Sequence, residues 1–305
     1  LYIPPLSRTT DIGASTVLVA AKFCRQHRAM LIVDPPAAWD SAAEAVRGVK
    51  RLNFHSDHAL MFFPRIAATD RLRGRVEMFG NGGAVAGLLS RTGEAVSAAV
   101  AAQDPEPLLR AGTRLAREVA SADRWSLAAH GVNVLHAVRS ADRERPPLRT
   151  LACGASASSD WAYLSQRRFA LFVINSIERG TRWCVRRPGD PTVWEGVAAQ
   201  VRRFLAELHS AGAFASAPPD QSFHVICDER INEASEPHIV NILVQFAATH
   251  AGQYHSFMIT HSVNGATVRP VAVNRLETSL IVAPDLEQEI TIRIDPRDGS
   301  LLNDY

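Results

Sequence analysis

Residues 158–213 read SSDWAYLSQRRFALFVINSIERGTRWCVRRPGDPTVWEGVAAQVRRFLAELHSAGA. This stretch contains two patterns of apolar residues at helical spacing. In the first pattern the apolar residues fall largely on one helix face. They are Leu164, Phe169, Phe172, Val173 and Ile177. Gly180 follows them at a position where a helix often needs a left-handed cap. This half of the stretch predicts an amphipathic helix that ends near Gly180.

Asp190 and Pro191 open the second pattern, because they supply an N-cap side chain and a first helical residue with a preset φ. Apolar residues then recur at helical spacing. They are Val197, Val201, Phe204, Leu205 and Leu208. Between the two patterns, Trp183, Cys184 and Val185 form an apolar triplet bounded by arginines, which predicts a short strand buried on both faces. The expected unit is therefore helix, strand and helix.

The composition indicates a soluble globular protein with one large core or two moderate ones. Of 305 residues, 47% are hydrophobic and 21% are charged, and 33 Lys+Arg oppose 31 Asp+Glu, which leaves a net charge of +2. So small a net charge gives no electrostatic reason to expect nucleic acid or an anionic membrane as a partner. No apolar run approaches the ~20 residues that span a bilayer. We therefore expect no membrane insertion.

The cysteines are scattered and contain no C-x-x-C pair. They are Cys24, Cys153, Cys184 and Cys227. Three of them lie inside apolar segments, which favours buried free thiols in a reducing compartment over a zinc site.

The first part of the chain has the pattern of a parallel α/β arrangement. Residues 1–14 carry Pro4 and Pro5 and indicate an extended arm or linker. The patterns that follow predict a helix over 15–27, a strand over 29–33, a helix over 38–49 and a strand over 57–64. The last three elements make a βαβ unit with parallel strands and a right-handed crossover. The strand at 183–185, the second helix and a strand at 223–227 are expected to form another.

The middle of the chain begins with GNGG at 80–83, which predicts a turn before a helix over 84–90. The alanine-rich region that continues to Ala129 is expected to be mostly helical. Weaker strand candidates cover 132–138 and 148–151. Beyond Cys227 the pattern becomes β-rich, over 239–246, 255–261 and 268–273, and the turn-forming Asn264-Gly265 separates the last two runs.

The last regular pattern is an alternating strand just before the tail at 295–305. Its residues are Glu289, Ile290, Thr291, Ile292, Arg293 and Ile294. The isoleucines form one apolar face. Such a strand is either an ordinary edge strand of its own domain or a strand that pairs with an exposed sheet edge on a neighbouring molecule.

Two polar groupings have residue types suited to ligand binding. His55, Asp57 and His58 suit a divalent metal, but no matching acidic or histidine cluster occurs elsewhere, and loop polarity is favoured. The GNGG turn suits a phosphate at a helix N-terminus. However, Val85 stands where the third glycine of G-x-G-x-x-G belongs, so a tight turn is favoured.

Two further groupings are weaker. GASAS at 154–158 lacks the final glycine of a nucleophile elbow, and helix capping explains its serines more simply. His255 and His261 lie about 20 Å apart along one predicted strand, too far to share a metal. We therefore expect no catalytic residue, no cofactor and no metal, with an α/β nucleotide-binding enzyme at the GNGG turn as the alternative.

Short motifs in a fixed order give the chain a family resemblance. They are RRF at 167–169, SIERGTRW at 176–183, PGDPTVW at 188–194, FLAEL at 204–208, GAF at 212–214 and SFHVICD at 222–228. Weaker matches are the strand at 58–64, VAG at 85–87 and GVNV at 131–134. In this order the motifs resemble contractile tail sheath proteins, and the resemblance covers roughly residues 16–274.

The resemblance implies an α/β fold with a subtilisin-like sheath core that has no working catalytic triad. A smaller α+β C-terminal sheath domain and extended terminal arms complete the implied architecture. The implied boundaries are 1–14 for an N-terminal arm or linker, 15–157 for the core domain, 158–277 for the C-terminal sheath domain and 278–305 for a C-terminal arm.

The resemblance also implies a structural, non-enzymatic subunit. Such subunits polymerise as stacked hexameric rings around an inner tube and contract to drive the tube through a target envelope. The implied partners are further copies of the chain, the inner tube protein, and baseplate and tail-terminator proteins. The implied location is the bacterial cytoplasm during assembly and then a virion tail or an extracellular contractile particle. Another self-assembling component, such as a capsid or baseplate protein, remains an alternative.

Two sets of residues gain an expected role from the resemblance. The strand at 289–294 becomes an arm that pairs with a neighbouring subunit. Arginines on the outward faces of the two long helices become candidate contacts with neighbouring subunits or the tube. They are Arg167, Arg168, Arg202 and Arg203.

Overall fold

The two main sheets of the described residues pack against helices, and two smaller sheets accompany them, which confirms the predicted α/β class. The structure, a computed structural model, describes residues 1–91, 106–110, 112–137, 145–153, 160–187, 189–214, 218–236, 238–247, 254–271, 293–294 and 301–302. The described helices are α1 (Ala14–Gln26), α2 (Ala42–Leu52), α3 (Gly82–Arg91), α4 (Ser121–Ala129), α5 (Leu164–Thr181), α6 (Pro191–Ser210) and α7 (Pro219–Ser222). The described strands are β1 (Leu31–Val33), β2 (Ala59–Phe63), β3 (Ile66–Asp70), β4 (Arg75–Phe79), β5 (Arg114–Leu115), β6 (Val132–Val134), β7 (Phe223–Ile226), β8 (Val240–Phe246), β9 (His255–Ser262), β10 (Gly265–Pro270), β11 (Arg293–Ile294) and β12 (Leu301–Leu302).

A parallel sheet with the order β1-β2-β6 forms the centre of the first half, and it contains the predicted parallel β1–β2 pair. All five residues of β2 are buried because helices cover both faces of the sheet. Leu60 and Phe62 pack toward α3 and the start of α5. Met61 and Phe63 pack on the opposite face, toward α1, α2 and α4. This double burial explains the unbroken apolar run of β2.

A β3–β4 hairpin with β5 beside it forms a second, antiparallel sheet that the sequence patterns did not predict. The turn between the strands contains Gly74 at φ 64°, a conformation that glycine adopts without steric cost. The expectation that the alanine-rich region is mostly helical is only partly tested, because residues 92–105 and 111 lie outside the described residues. In the described part of that region, irregular backbone and β5 separate α3 from α4.

The helices α5 and α6 pack on one face of a four-stranded antiparallel sheet with the order β10-β9-β8-β7. Both long helices of the opening stretch are therefore confirmed. The Asp190 carboxylate accepts a hydrogen bond from the Val193 backbone N–H at 2.9 Å, and Pro191 is the first residue of α6, as predicted. Phe169 of α5 meets Phe214 and Phe246 edge-on, with ring centroids 5.5 and 6.1 Å apart.

The prediction of a strand at 183–185 is wrong, because Arg182–Arg186 is a 3-10 helix that continues directly from α5. The apolar triplet is covered by β9 and α6 without belonging to a sheet, and so short an apolar run does not distinguish a strand from a tight helical turn. Without that strand, the second βαβ unit does not form. β7 instead pairs antiparallel with β8. Gly180 lies inside α5 rather than at a left-handed cap.

The β-rich region after Cys227 is confirmed as β8, β9 and β10, with Asn264-Gly265 at the β9–β10 turn. The strand predicted over 132–138 is shorter, because β6 ends at Val134. Residues 148–151 do not form a strand, although Arg149 makes an isolated antiparallel bridge to Tyr163. The cysteines are free thiols, and all but the half-buried Cys153 are buried.

Candidate assembly surface

The exposed face of α6 carries two of the predicted contact residues. Val197, Val201 and Leu205 turn the opposite face of the helix into the core. Arg202 and Arg203 therefore project into solvent. Arg202 Nη1 lies 3.1 Å from Glu195 Oε1, and both side chains of this pair are exposed. These two arginines are available for contacts with another molecule, and their role in assembly remains a prediction.

Arg167 lies elsewhere than expected, because its side chain is inside the protein and only 7% exposed. Its Nη2 atom lies 3.0 Å from Asp57 Oδ2 and also contacts His58 Nε2. The guanidinium is stacked over the Trp161 ring at 4.9 Å. Arg167 thus joins α5 to the loop before β2 and does not project outward. The sequence placed it on the outer face of α5 because an isolated arginine gives no sign of its buried partners.

His58 is neutral in this arrangement. Burial and then the positive charge of Arg167 lower its pKa from 6.5 to about 4. A neutral imidazole accepts from Arg167 at Nε2 and donates from Nδ1 to the Ala29 carbonyl at 2.8 Å. Burial also lowers the pKa of Arg167, against the opposing effect of Asp57. These contacts connect α5 to the segments that precede β1 and β2.

Arg168 is half-buried and donates from Nη2 to the Leu89 carbonyl at 3.2 Å, near the C-terminal end of α3. Cationic side chains are favourable near that end of a helix. This contact gives Arg168 a structural role within the chain. A role in assembly remains a prediction for this residue.

A second internal link, not predicted from the sequence, connects the loop after α1 to α5. Arg28 donates to Asn175 Oδ1 at 2.8 Å and to Glu178 Oε2 at 3.1 Å, and Asn175 donates back to the Arg28 carbonyl at 3.3 Å. Glu178 also accepts two hydrogen bonds from Arg182. Arg28 has φ 52°, which is uncommon for a residue with a side chain. The only signal in the sequence was the polar Asn175 and Glu178 beside an apolar helix face.

The HSDH grouping at 55–58 is divided between solvent and the interior. His55 is exposed, whereas Asp57 and His58 are engaged with Arg167. Among the residues that the structure describes, no three His, Cys, Asp or Glu side chains come together as metal ligands. The favoured interpretation of this grouping as loop polarity fits His55, whereas Asp57 and His58 belong to an internal cluster with Arg167.

The GNGG turn already holds a carboxylate where a phosphate would bind. Asp34 Oδ1 accepts from the Gly82 N–H at 2.8 Å at the start of α3, and Asp34 Oδ2 accepts from the Tyr2 hydroxyl at 2.7 Å. A Cβ atom at Gly80 would lie 2.2 Å from Asp34, and one at Gly82 would lie 2.1 Å from the Tyr2 ring. The glycines therefore allow close packing of the protein on itself, and a phosphate would meet a like charge.

The remaining groupings are GASAS at 154–158 and the two histidines of β9. Residues 154–158 lie outside the described residues. His261 is buried, with Nε2 2.8 Å from Thr181 Oγ1, and burial lowers its pKa. His255 packs against the Trp161 ring at 4.2 Å. Each histidine thus belongs to the packing between β9 and the α5 region.

The predicted C-terminal strand is only partly described. Glu289, Ile290, Thr291 and Ile292 lie outside the described residues. Arg293 and Ile294 form β11, which pairs antiparallel with Leu301 and Leu302 of the same chain. Pairing with a neighbouring subunit remains a prediction.

Exposed apolar side chains mark a further surface on the β3–β4 hairpin. Val76 and Met78 of the edge strand β4 are 54% and 45% exposed, and Leu72 in the turn is 96% exposed. Edge strands with exposed apolar residues commonly mark sites of association. In the part of the chain that the structure covers, no helix is long and apolar enough to cross a membrane.

Comparison with known proteins adds information on the fold. No protein-family model and no curated protein matches the chain. Solved structures do match. A chain in the baseplate of the anti-feeding prophage has a TM-score of 0.60 and 20% identity, covering 78% of this chain and 62% of that chain. The sheath complex of an extracellular contractile injection system, PVC, in the contracted state has a TM-score of 0.59 and 17% identity, covering 72% and 60%.

A sheath tail protein from Listeria innocua also matches, with a TM-score of 0.51 and 14% identity, covering 82% of this chain and 59% of that chain. This chain therefore spans about three fifths of the length of these similar chains. Its structural neighbours are sheath and baseplate proteins of contractile injection systems and tail sheath proteins. The chain thus has the fold of contractile tail sheath proteins.

Proposed function

We propose that this chain is a structural subunit of a contractile tail sheath. The observation that carries the proposal is the fold match to sheath and baseplate chains over most of this chain. We further propose that the subunits form stacked hexameric rings around an inner tube and shorten to drive the tube through a target envelope. In that role, its partners would be the inner tube protein and the baseplate and tail-terminator proteins. The subunit would assemble in the bacterial cytoplasm and then form part of a virion tail or an extracellular particle.

Contraction makes two physical demands on a subunit. Contacts between subunits in the contracted state must outweigh those in the extended state, while connections between subunits must survive the rearrangement. A rigid subunit suits this task, and the ion pairs that join α5 to the β1–β2 region support rigidity. The proposed C-terminal arm is then the connection between subunits, and the exposed arginines of α6 are an adjustable contact.

A baseplate subunit is the second candidate, because the similar anti-feeding prophage chain comes from a baseplate structure. The two candidates predict different particles. A sheath subunit extends into long stacks of rings, since each ring offers the same surface to the next. A baseplate subunit stops at a single ring or disc.

Electron microscopy of the purified protein at increasing concentration tests the proposal. Hollow cylinders with cogwheel-shaped ends are expected for a sheath. Isolated rings would favour the baseplate candidate. A monodisperse monomer at every concentration would contradict both. A parallel thermal melt with added nucleotides tests the enzyme alternative, and we expect no change in Tm because Asp34 occupies the N-terminus of α3.

A further inference from the structure

A cavity of about 140 Å³ lies between the N-terminal segment, α1, β1 and the end of α2. Most of its lining is apolar. Contributing side chains include Val17, Leu18, Leu31, Val33, Met61 and Leu151. Leu31, Met61 and Leu151 are buried and form its floor. The cavity is separate from Arg202 and Arg203, so its role does not depend on the proposed function.

The N-terminal segment supplies part of the cavity wall. Ile3, Pro5 and Ile12 from this segment belong to the lining. At one end, the Ile32 N–H donates to the Leu1 carbonyl at 2.9 Å, next to the Tyr2–Asp34 hydrogen bond. At the other end, the Ala37 N–H donates to Asp11 Oδ1 at 2.9 Å. Between these hydrogen bonds, Ile3 and Pro5 lie against the cavity.

Most charged groups of the lining are engaged with protein groups, although Arg65 Nε is buried without a hydrogen-bond partner. Asp34 accepts from Tyr2 and Gly82, and Asp11 accepts from Ala37. Arg65 donates to the Arg8 carbonyl at 3.3 Å and lies 3.7 Å from Asp11. A charged ligand would have to displace these contacts, whereas an apolar ligand would leave them intact.

We propose that this cavity binds a small, uncharged, apolar molecule about the size of benzene. An engineered protein cavity of about 150 Å³ with aliphatic and aromatic walls stays dry and binds benzene or xenon. The present cavity is similar in size, and most of its wall is apolar, although it is partly open and Asp11, Asp34 and Arg65 also line it. A bound apolar molecule makes dispersion contacts with the cavity wall and thereby stabilises the conformation in which the N-terminal segment packs against the cavity.

Xenon and benzene are the probes for this site. Crystals of the full chain under xenon pressure are expected to show xenon between Leu18 and Leu31. In solution, benzene is expected to raise Tm by about 3 °C at ten times its dissociation constant. Xenon density elsewhere only, or a Tm that benzene leaves unchanged, would overturn the proposal.

Two matched variants of α1 locate the effect. Leu18→Phe adds volume toward the cavity, and we expect it to abolish the benzene shift. Val19→Phe adds a ring on the neighbouring position, which is 70% exposed, and should leave the shift unchanged. Circular dichroism checks that both variants fold. A folded Leu18→Phe protein with the full benzene shift would contradict the assignment, and the xenon experiment decides if that variant fails to fold.

Discussion

Two arginine contacts, one buried and one partly buried, join the halves of this protein at the residue scale. Arg167 pairs with Asp57 and His58, and Arg28 pairs with Glu178. Buried ion pairs contribute little net stability compared with apolar residues, but loss of one partner leaves the other charge uncompensated. These contacts therefore fix the orientation of α5 relative to β1 and β2 more than they raise the total stability.

The neutral state of His58 predicts a specific dependence of stability on pH. Its pKa is about 4 in the folded protein and near 6.5 in the unfolded chain, so the unfolded chain binds more protons between these values. The stability contributed by neutral His58 is complete above pH 6.5 and declines as the pH falls toward 4. The expected slope from this residue is about 1.4 kcal/mol per pH unit.

The variant His58→Gln tests this dependence, because glutamine has an acceptor for Arg167 and a donor for Ala29 but does not titrate. Urea unfolding at several pH values should show a shallower loss of stability for the variant between pH 6.5 and 4. Burial also lowers the pKa of His136, His224 and His261, and these residues contribute to the pH dependence of both proteins. The contribution of His58 is therefore the difference in slope between the wild type and the variant. Identical slopes for the two proteins would mean that His58 is not held neutral by the fold.

At the scale of single elements, the N-cap residue Asp190 defines the start of α6 and contributes to its stability. Asp190 accepts from the Val193 N–H, and a carboxylate there also interacts favourably with the helix dipole. We expect Asp190→Ala to lower the free energy of unfolding by about 1 kcal/mol. Glu207→Ala, at an exposed position of the same helix, is the control and should have a smaller effect. Chemical denaturation measures both, and equal effects would contradict the capping role.

The elements that the sequence predicted well are those whose residues carry a repeated pattern. The long helices α5 and α6 show several turns of apolar residues, and β2 is a continuous apolar run between turns. The 3-10 helix at Arg182–Arg186 was mistaken for a strand, because three apolar residues have no measurable period. The β3–β4 hairpin was missed because its alternation includes alanines and charged residues, and its turn has only one glycine.

The candidate surface was less predictable than the fold. Arg202 and Arg203 were correctly expected on the outer face of α6, since the apolar period of that helix defines its buried face. The same reasoning misplaced Arg167, because its partners Asp57 and His58 lie more than 100 residues earlier and meet it only in the folded protein. Contacts between distant segments are not encoded in local patterns.

Charge reversal on α6 tests the proposed assembly contact at the scale of the whole molecule. We expect Arg202→Glu with Arg203→Glu to reduce the yield of assembled particles at least tenfold while the melting curve stays close to that of the wild type. The double change Arg47→Glu with Lys50→Glu on the exposed face of α2 is the control for net charge. Sedimentation measures assembly. Normal assembly of the α6 variant would contradict the assembly role of Arg202 and Arg203 and would show that they are ordinary solvent-exposed residues.

Removal of the proposed arm separates folding from polymerisation. Deletion of residues 289–305 is expected to abolish polymers, because no strand remains to connect neighbouring subunits. The core should keep its Tm, since the cores built on β2 and on α5 and α6 use residues from earlier in the chain. A deletion variant that does not fold would show that this segment is an internal strand. A variant that still polymerises would contradict the proposal that this segment connects neighbouring subunits.

Cryo-electron microscopy of the assembled protein tests the central claim, that this chain is a sheath subunit, most directly. We predict hollow cylinders of stacked six-membered rings, with Arg202 and Arg203 at contacts between molecules and the strand at 289–294 paired with a neighbouring subunit. Particles without rings, or a protein that remains a monomer at high concentration, would contradict the claim.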